Sequence, residues 1–139
     1  MNKKSGVSTT EIAIAVLVFA VAAIPLYYAI SFGSNKEIQL DKIARANKVL
    51  ESFRDEIKSL DFETVHQYGS PIDARNLPPN SFNEFLEAQK RYKDYEFKAT
   101  SDYSNENDIE ALIIKAQITW HDGTGNKESI QKISFMKVK

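Results

Sequence analysis

The chain has no cysteine, so it holds no disulfide, no thiolate metal site and no thiol nucleophile. That absence leaves the compartment open, because an oxidising space permits disulfides without requiring them. Only two histidines occur, His66 and His121, far apart and without the H-x-x-x-H spacing of a zinc helix. The five glycines are scattered and build no phosphate-cradling loop, and no serine sits in a G-x-S-x-G elbow. The chain therefore reads as a non-enzyme without cofactor or metal. A surplus of charge is missing as well: 18 basic residues face 19 acidic ones, for a net charge of −1. No basic stripe is interleaved with aromatics, so no nucleic-acid partner is expected. Oxygen side chains recur through Asp122, Thr124, Asn126 and Glu128, the ligand type calcium favours. The Asp-Gly and Gly-Asn pairs there are what a hairpin connection requires, and the turn is the simpler reading.

Charge is absent from one whole stretch. From Ile12 to Ile30 no residue is charged, and most are Ala, Val, Ile, Leu, Phe or Tyr. As a helix this run spans roughly 28 Å, close to the hydrocarbon thickness of a bilayer. After residue 35 the chain turns polar, leaving a water-facing part large enough to bury roughly 65% of its unfolded surface. Lys3 and Lys4 precede the run and should hold this end in the cytoplasm, sending the rest across. The run is too long for an ordinary cleaved secretory signal, and Ala20, Ala22 and Ala23 lie inside it with more apolar chain beyond. Tyr27 and Tyr28, near its outer end, suit a membrane interface or packing between helices.

Glu11 does not fit a plain membrane anchor. A carboxylate at the mouth of an apolar span costs on the order of a few kcal/mol unless it is paired or neutralised. Glu11 is the fifth residue after Gly6, behind a short basic leader. This arrangement resembles the prepilin signal of type IV pilins and type II secretion pseudopilins. The resemblance implies that a prepilin peptidase/methyltransferase cuts between Gly6 and Val7 and methylates the new Val7 amine. It also implies that Glu11 pairs with the terminal amine of a neighbouring subunit and sets filament register. A buried charge pair is a good register device and a poor source of raw stability. The family most often opens its mature chain with Phe and then Thr-Leu-Ile or similar, where this chain has Val7-Ser8-Thr9-Thr10. Its helix proline usually stands at the place of Tyr28, whereas here it is Pro25, which moves the expected kink. These departures favour a minor, initiating subunit over the major one.

Beyond the span, Ile43, Ala46, Leu50, Phe53, Ile57 and Leu60 step by three and four, an apolar stripe on one helical face. The span is expected to continue outward as this helix through a pliable joint at Ser31-Phe32-Gly33-Ser34. Leu112, Ile114, Ala116, Ile118 and Trp120 alternate with less apolar neighbours, which predicts a strand with one buried face. A second strand runs through Ile130, Ile133, Phe135 and Val138, and Tyr95, Phe97 and Ala99 suggest an earlier one. His66 to Phe82 reads as an irregular loop, Asn83 to Tyr92 as a short helix capped by Asn83, and Ser101 to Asp108 as a mobile polar loop.

The expected fold is α+β: a long N-terminal helix on a small antiparallel sheet, which is the pilin fold. Ala44 to Phe62, with Leu50-Glu51-Ser52-Phe53-Arg54, and the last two strands with Thr119-Trp120 also look like minor pilins and pseudopilins. The expected division is a leader over 1–6, an apolar helix over 7–34 and a head over 35–139. The head would comprise an amphipathic helix over 35–60, a loop and short helix over 61–93, and the sheet over 94–139. The implied partners are other pilins or pseudopilins through the helix bundle, the processing peptidase, an inner-membrane assembly platform and the membrane. The implied location is the cytoplasmic membrane, with the head outside, and then the pilus or pseudopilus. The rival from another class is an uncleaved, signal-anchored periplasmic or extracellular binding domain.

Overall fold

A computed structural model describes residues 8–121 and 128–139. The Gly6–Val7 junction and the turn or calcium expectation over residues 122–127 lie outside the described residues. Along the chain come α1 (Thr9–Ser59), α2 (Phe62–Gln67), β1 (Ile72–Asp73), a 3₁₀ turn (Ala74–Asn76), α3 (Pro79–Arg91), β2 (Glu96–Glu106), β3 (Ile109–His121) and β4 (Glu128–Val138). The chain divides into two compact units, Met1–Ile38 and Gln39–Lys139.

In the first unit α1 is helical throughout its described residues, and its apolar side chains are open, Phe19 being 74% exposed. It is the one helix among the described residues long and apolar enough to cross a membrane. Helix α1 continues through Ser31–Ser34, the place of the expected joint. Gly33 costs about 1 kcal/mol in a helix, too little to interrupt one that is continuous on both sides. Pro25 stands inside α1, where its missing N–H leaves the Val21 carbonyl without a helical partner.

The second unit has the core. The α1 stripe buries Ala46, Val49, Leu50, Phe53 and Ile57 against the inner face of a four-stranded antiparallel sheet in the order β1-β2-β3-β4. Period-two alternation sends Phe97, Ala99, Leu112, Ile114, Ala116, Ile118 and Trp120 to that face. Phe53 is the hub, with ring centroids 5.3 Å from Phe97 and 6.2 Å from Phe135 in edge-to-face contact. Burying one such phenyl ring contributes about 3 kcal/mol. In β4 only one parity points inward: Ile133 and Phe135 pack on the core, while Ile130 and Val138 face out.

Three local expectations need correction. Ser101–Glu106 is not a mobile loop: it continues β2 in register with β3, and a two-residue turn closes the hairpin. Asn107 and Asp108 have φ of 54° and 62°, the left-handed pair of a type I′ turn, which Asn and Asp tolerate best after glycine. The stretch from His66 to Phe82 is largely ordered into the end of α2, β1 and the 3₁₀ turn. Helix α3 begins at Pro79, four residues before Asn83, because proline's fixed φ and absent N–H suit the first helical position.

Polar contacts lock α1 to the rest of this unit. The Glu56 carboxylate accepts the backbone N–H groups of Asn80 (2.9 Å) and Ser81 (2.7 Å) and the Ser81 hydroxyl, so it caps α3. Burial pushes this carboxyl up, but those hydrogen bonds outweigh it and hold Glu56 below the usual carboxylate range. Lys42 is buried, 3.0 Å from Asp94 and 3.2 Å from the His121 carbonyl. Burial likewise pushes the Asp94 carboxyl up, and the Lys42 ammonium with backbone N–H groups brings it below normal. The Tyr92 hydroxyl donates to Asp41 at 2.7 Å and Arg45 stands at 3.1 Å, which together lower the Asp41 carboxyl. Buried Tyr95 donates to the Lys42 carbonyl at 2.6 Å, and burial pushes its hydroxyl up.

Candidate functional site

The first turn of α1 brings together three of the residues singled out by the sequence. Ser8 is the residue before the helix, and its carbonyl receives the N–H groups of Glu11 (3.0 Å) and Ile12 (3.1 Å). The Ser8 backbone N–H donates to the Glu11 carboxylate at 2.9 Å, while the Ser8 hydroxyl accepts the Thr10 N–H at 3.3 Å. The two hydroxyls of Ser8 and Thr10 are 2.5 Å apart. This is a capping box, with Ser8 at the cap and Glu11 at the third helical position. The carboxylate also meets the positive end of the helix dipole. The Ser8-x-x-Glu11 spacing that encodes it stands in the sequence, yet the expectations for Glu11 concern only a neighbour's amine.

On one flank of α1, Glu11 adjoins Ile12, Ala15, Val16 and Phe19, with the small Ala15 leaving a notch between larger side chains. All of these are exposed. The arrangement offers one charge, satisfied within its own turn, at the head of an apolar surface left exposed among the described residues. A hydrogen-bond acceptor beside exposed apolar area can bind and align a partner.

The sheet assembles a second group that no local stretch of sequence shows. On its outer face Lys98, Lys115 and Lys132 come from β2, β3 and β4, with Gln117 opposite both Lys98 and Lys132. They line a shallow depression with Thr100 and Ser134. Glu96 lies 3.5 Å from Lys98 and Asp102 lies 3.7 Å from Lys115, so the group is close to neutral. The histidines are structural in position. The backbone of His121, at the end of β3, bonds Lys42 and Asp94, and His66 stacks on Phe62 in α2 and tilts against Tyr103. No group of three His, Cys, Asp or Glu that could hold a metal occurs among the described residues.

The fold defines a class: an α+β protein with a long apolar N-terminal helix and a four-stranded antiparallel sheet. No family model, curated protein or solved structure matches the chain.

Proposed function

We propose that this chain is a structural subunit of a type IV pilus or a type II secretion pseudopilus, acting as a minor, initiating subunit. It is stored in the cytoplasmic membrane with its head outside, cut after Gly6, methylated on Val7 and drawn into a filament through α1. An assembly platform and the processing peptidase are its machinery, and neighbouring subunits are its partners. Pro25 supplies the bend that helix packing needs. The observation that carries the reading is the first turn of α1, where one carboxylate stands at the head of an exposed apolar stretch of helix. A charge in that place has a use when a neighbour's ammonium replaces the Ser8 N–H as its partner.

A second reading draws on the same capping box. Because Ser8 already satisfies Glu11 within the chain, the carboxylate has a local reason to exist, and an uncleaved anchored binding domain needs no more.

Intact mass and N-terminal sequencing of the protein from its own membranes separate the two. A chain beginning at Val7 with one added methyl group supports the filament subunit. A chain retaining the leader where a prepilin peptidase is active sinks it. In the filament reading Glu11→Ala abolishes assembly while membrane insertion persists, scored by shearing cells and blotting the released filaments. Undiminished filaments from that variant would remove the register role.

A further inference from the structure

The strand register lays out the outer face of the sheet. Residues of opposite parity to the core point outward, and the pairings set them in rows across the strands. One row runs Asp73–Lys98–Gln117–Lys132, and the next runs Thr100–Lys115–Ser134. Lys98 and Lys132 flank Gln117, with Cα atoms about 10 Å apart over two strand spacings, and Lys115 stands about 7 Å off that row along β3. Lysines from three strands thus form a triangle. The short side chains of Thr100 and Ser134 sit beside Lys115, while Ile113 with Met136 borders one end and Ile130 the other. The centre is lower than its ends, which makes the shallow depression between them.

The lining is unevenly charged. It carries the ammonium groups of Lys98, Lys115 and Lys132 against one carboxylate, that of Asp73. Glu96 and Asp102, which bring the wider group close to neutrality, stand in the bordering rows. Their contacts with Lys98 and Lys115, at 3.5 and 3.7 Å, exceed ordinary hydrogen-bond length and join exposed side chains. Pairs of this kind contribute about 0–1 kcal/mol, so a ligand anion exchanges for them at little cost. Among the described residues Lys132 has no ion pair, and the side chains of Asp73, Thr100, Gln117 and Ser134 make no hydrogen bond. Unused cations thus stand beside unused neutral and acidic hydrogen-bonding groups.

We propose that this depression binds an acidic saccharide, with one carboxylate on each sugar ring. The lysine ammoniums receive the carboxylates through charge-assisted hydrogen bonds, and the lysine methylenes lie against the ring faces. Sugar hydroxyls donate to the Asp73 carboxylate and accept from the Gln117 side-chain amide and the Thr100 and Ser134 hydroxyls. Asp73 decides the class. A carboxylate in the lining repels a bare anion but accepts from a hydroxyl, so the ligand carries both groups. A continuous phosphate backbone, with its denser charge, would meet Asp73, Glu96 and Asp102 together. The site belongs to the head alone and goes beyond the filament reading without resting on it.

The probe is fluorescently labelled tetragalacturonate, titrated onto the full-length chain and read by fluorescence anisotropy. The chain is held in a polyoxyethylene detergent, which carries no sugar. Saturable binding is expected, weakened about tenfold or more when every carboxyl of the tetramer is methyl-esterified. Lys132→Gln should weaken it about three- to fivefold. The triple variant Lys98→Gln, Lys115→Gln, Lys132→Gln should abolish it with circular dichroism unchanged, because all three side chains are exposed. Asp73→Ala gives the deciding sign. It makes the surface more positive, so a merely basic patch would bind tighter, whereas the saccharide site loses about threefold. Glu96→Gln should tighten binding by freeing Lys98. No saturable binding, equal binding of the ester, or tighter binding by Asp73→Ala overturns the proposal. So does a single-stranded oligodeoxynucleotide that binds more tightly than the tetramer. A chain that keeps its leader defeats the filament reading and leaves this result standing.

Discussion

The Glu56 carboxylate of α1 accepts the Ser81 backbone N–H at 2.7 Å, so the N-terminus of α3 is capped from a residue 25 positions earlier in the chain. Pro78 occupies the cap position and has no side-chain acceptor to offer, which leaves Glu56 to serve the first turn. Glu56→Ala is expected to destabilise the head by about 1–2 kcal/mol, the scale of a lost cap. Urea denaturation measures the loss, and hydrogen exchange should show faster opening of the Asn80 and Ser81 amides than of β3.

Asp41, Glu56 and Asp94 all have folded carboxyl pKa values below their unfolded ones. Their stabilisation is fully present above the unfolded value of about 4 and drains away as pH falls through the folded values. The melting temperature should be level above about pH 5 and fall below about pH 4. Solvent screening reduces the share of the partly exposed Asp41 and Asp94. Glu56→Gln should flatten the acid limb, read from thermal melts across a pH series.

Lys42 joins α1 to the ends of β2 and β3 from a side chain only 10% exposed. Lys42→Met should cost about 1–3 kcal/mol, because Asp94 keeps the His121 N–H and loses its cation. Adding Asp94→Asn should recover part of that loss. A double-mutant cycle by chemical denaturation gives the coupling, and strict additivity would show that the pair does not act together.

Phe53→Ala should be the most damaging of these changes, about 3–5 kcal/mol, since it empties the centre of the aromatic cluster. Calorimetry on the chain in detergent would read it as a lowered head transition. An intact melt in that variant would place the centre of the core elsewhere.

Patterns with one dominant cause were legible in the sequence. The stripe from Ile43 to Leu60 and the alternation from Leu112 to Trp120 each report a single buried face, and both stand where periodicity put them. Ser101–Glu106 was not legible as a strand, because it runs in polar residues and is held by its ladder with β3. Lys42 reads as a surface residue until Asp94 and the His121 carbonyl arrive from other elements. The cap from Glu56, like the lysines gathered on the outer sheet face, depends on long-range pairing that no local motif encodes. The capping box at Ser8 and Glu11 is the opposite case: a local signal in plain view, overshadowed by the prepilin-like spacing that shares its glutamate.

Every buried residue of α1 lies at or beyond Lys42. One uninterrupted helix therefore answers to two selective regimes. Beyond Lys42 a lost methylene is felt by close-packed neighbours, whereas before it apolar residues can be exchanged for one another without altering the head's stability. Under the proposed function, variation in the first half is free to follow membrane thickness or the shape of adjoining helices. The second half must follow the sheet, so drift in one need not be matched by drift in the other.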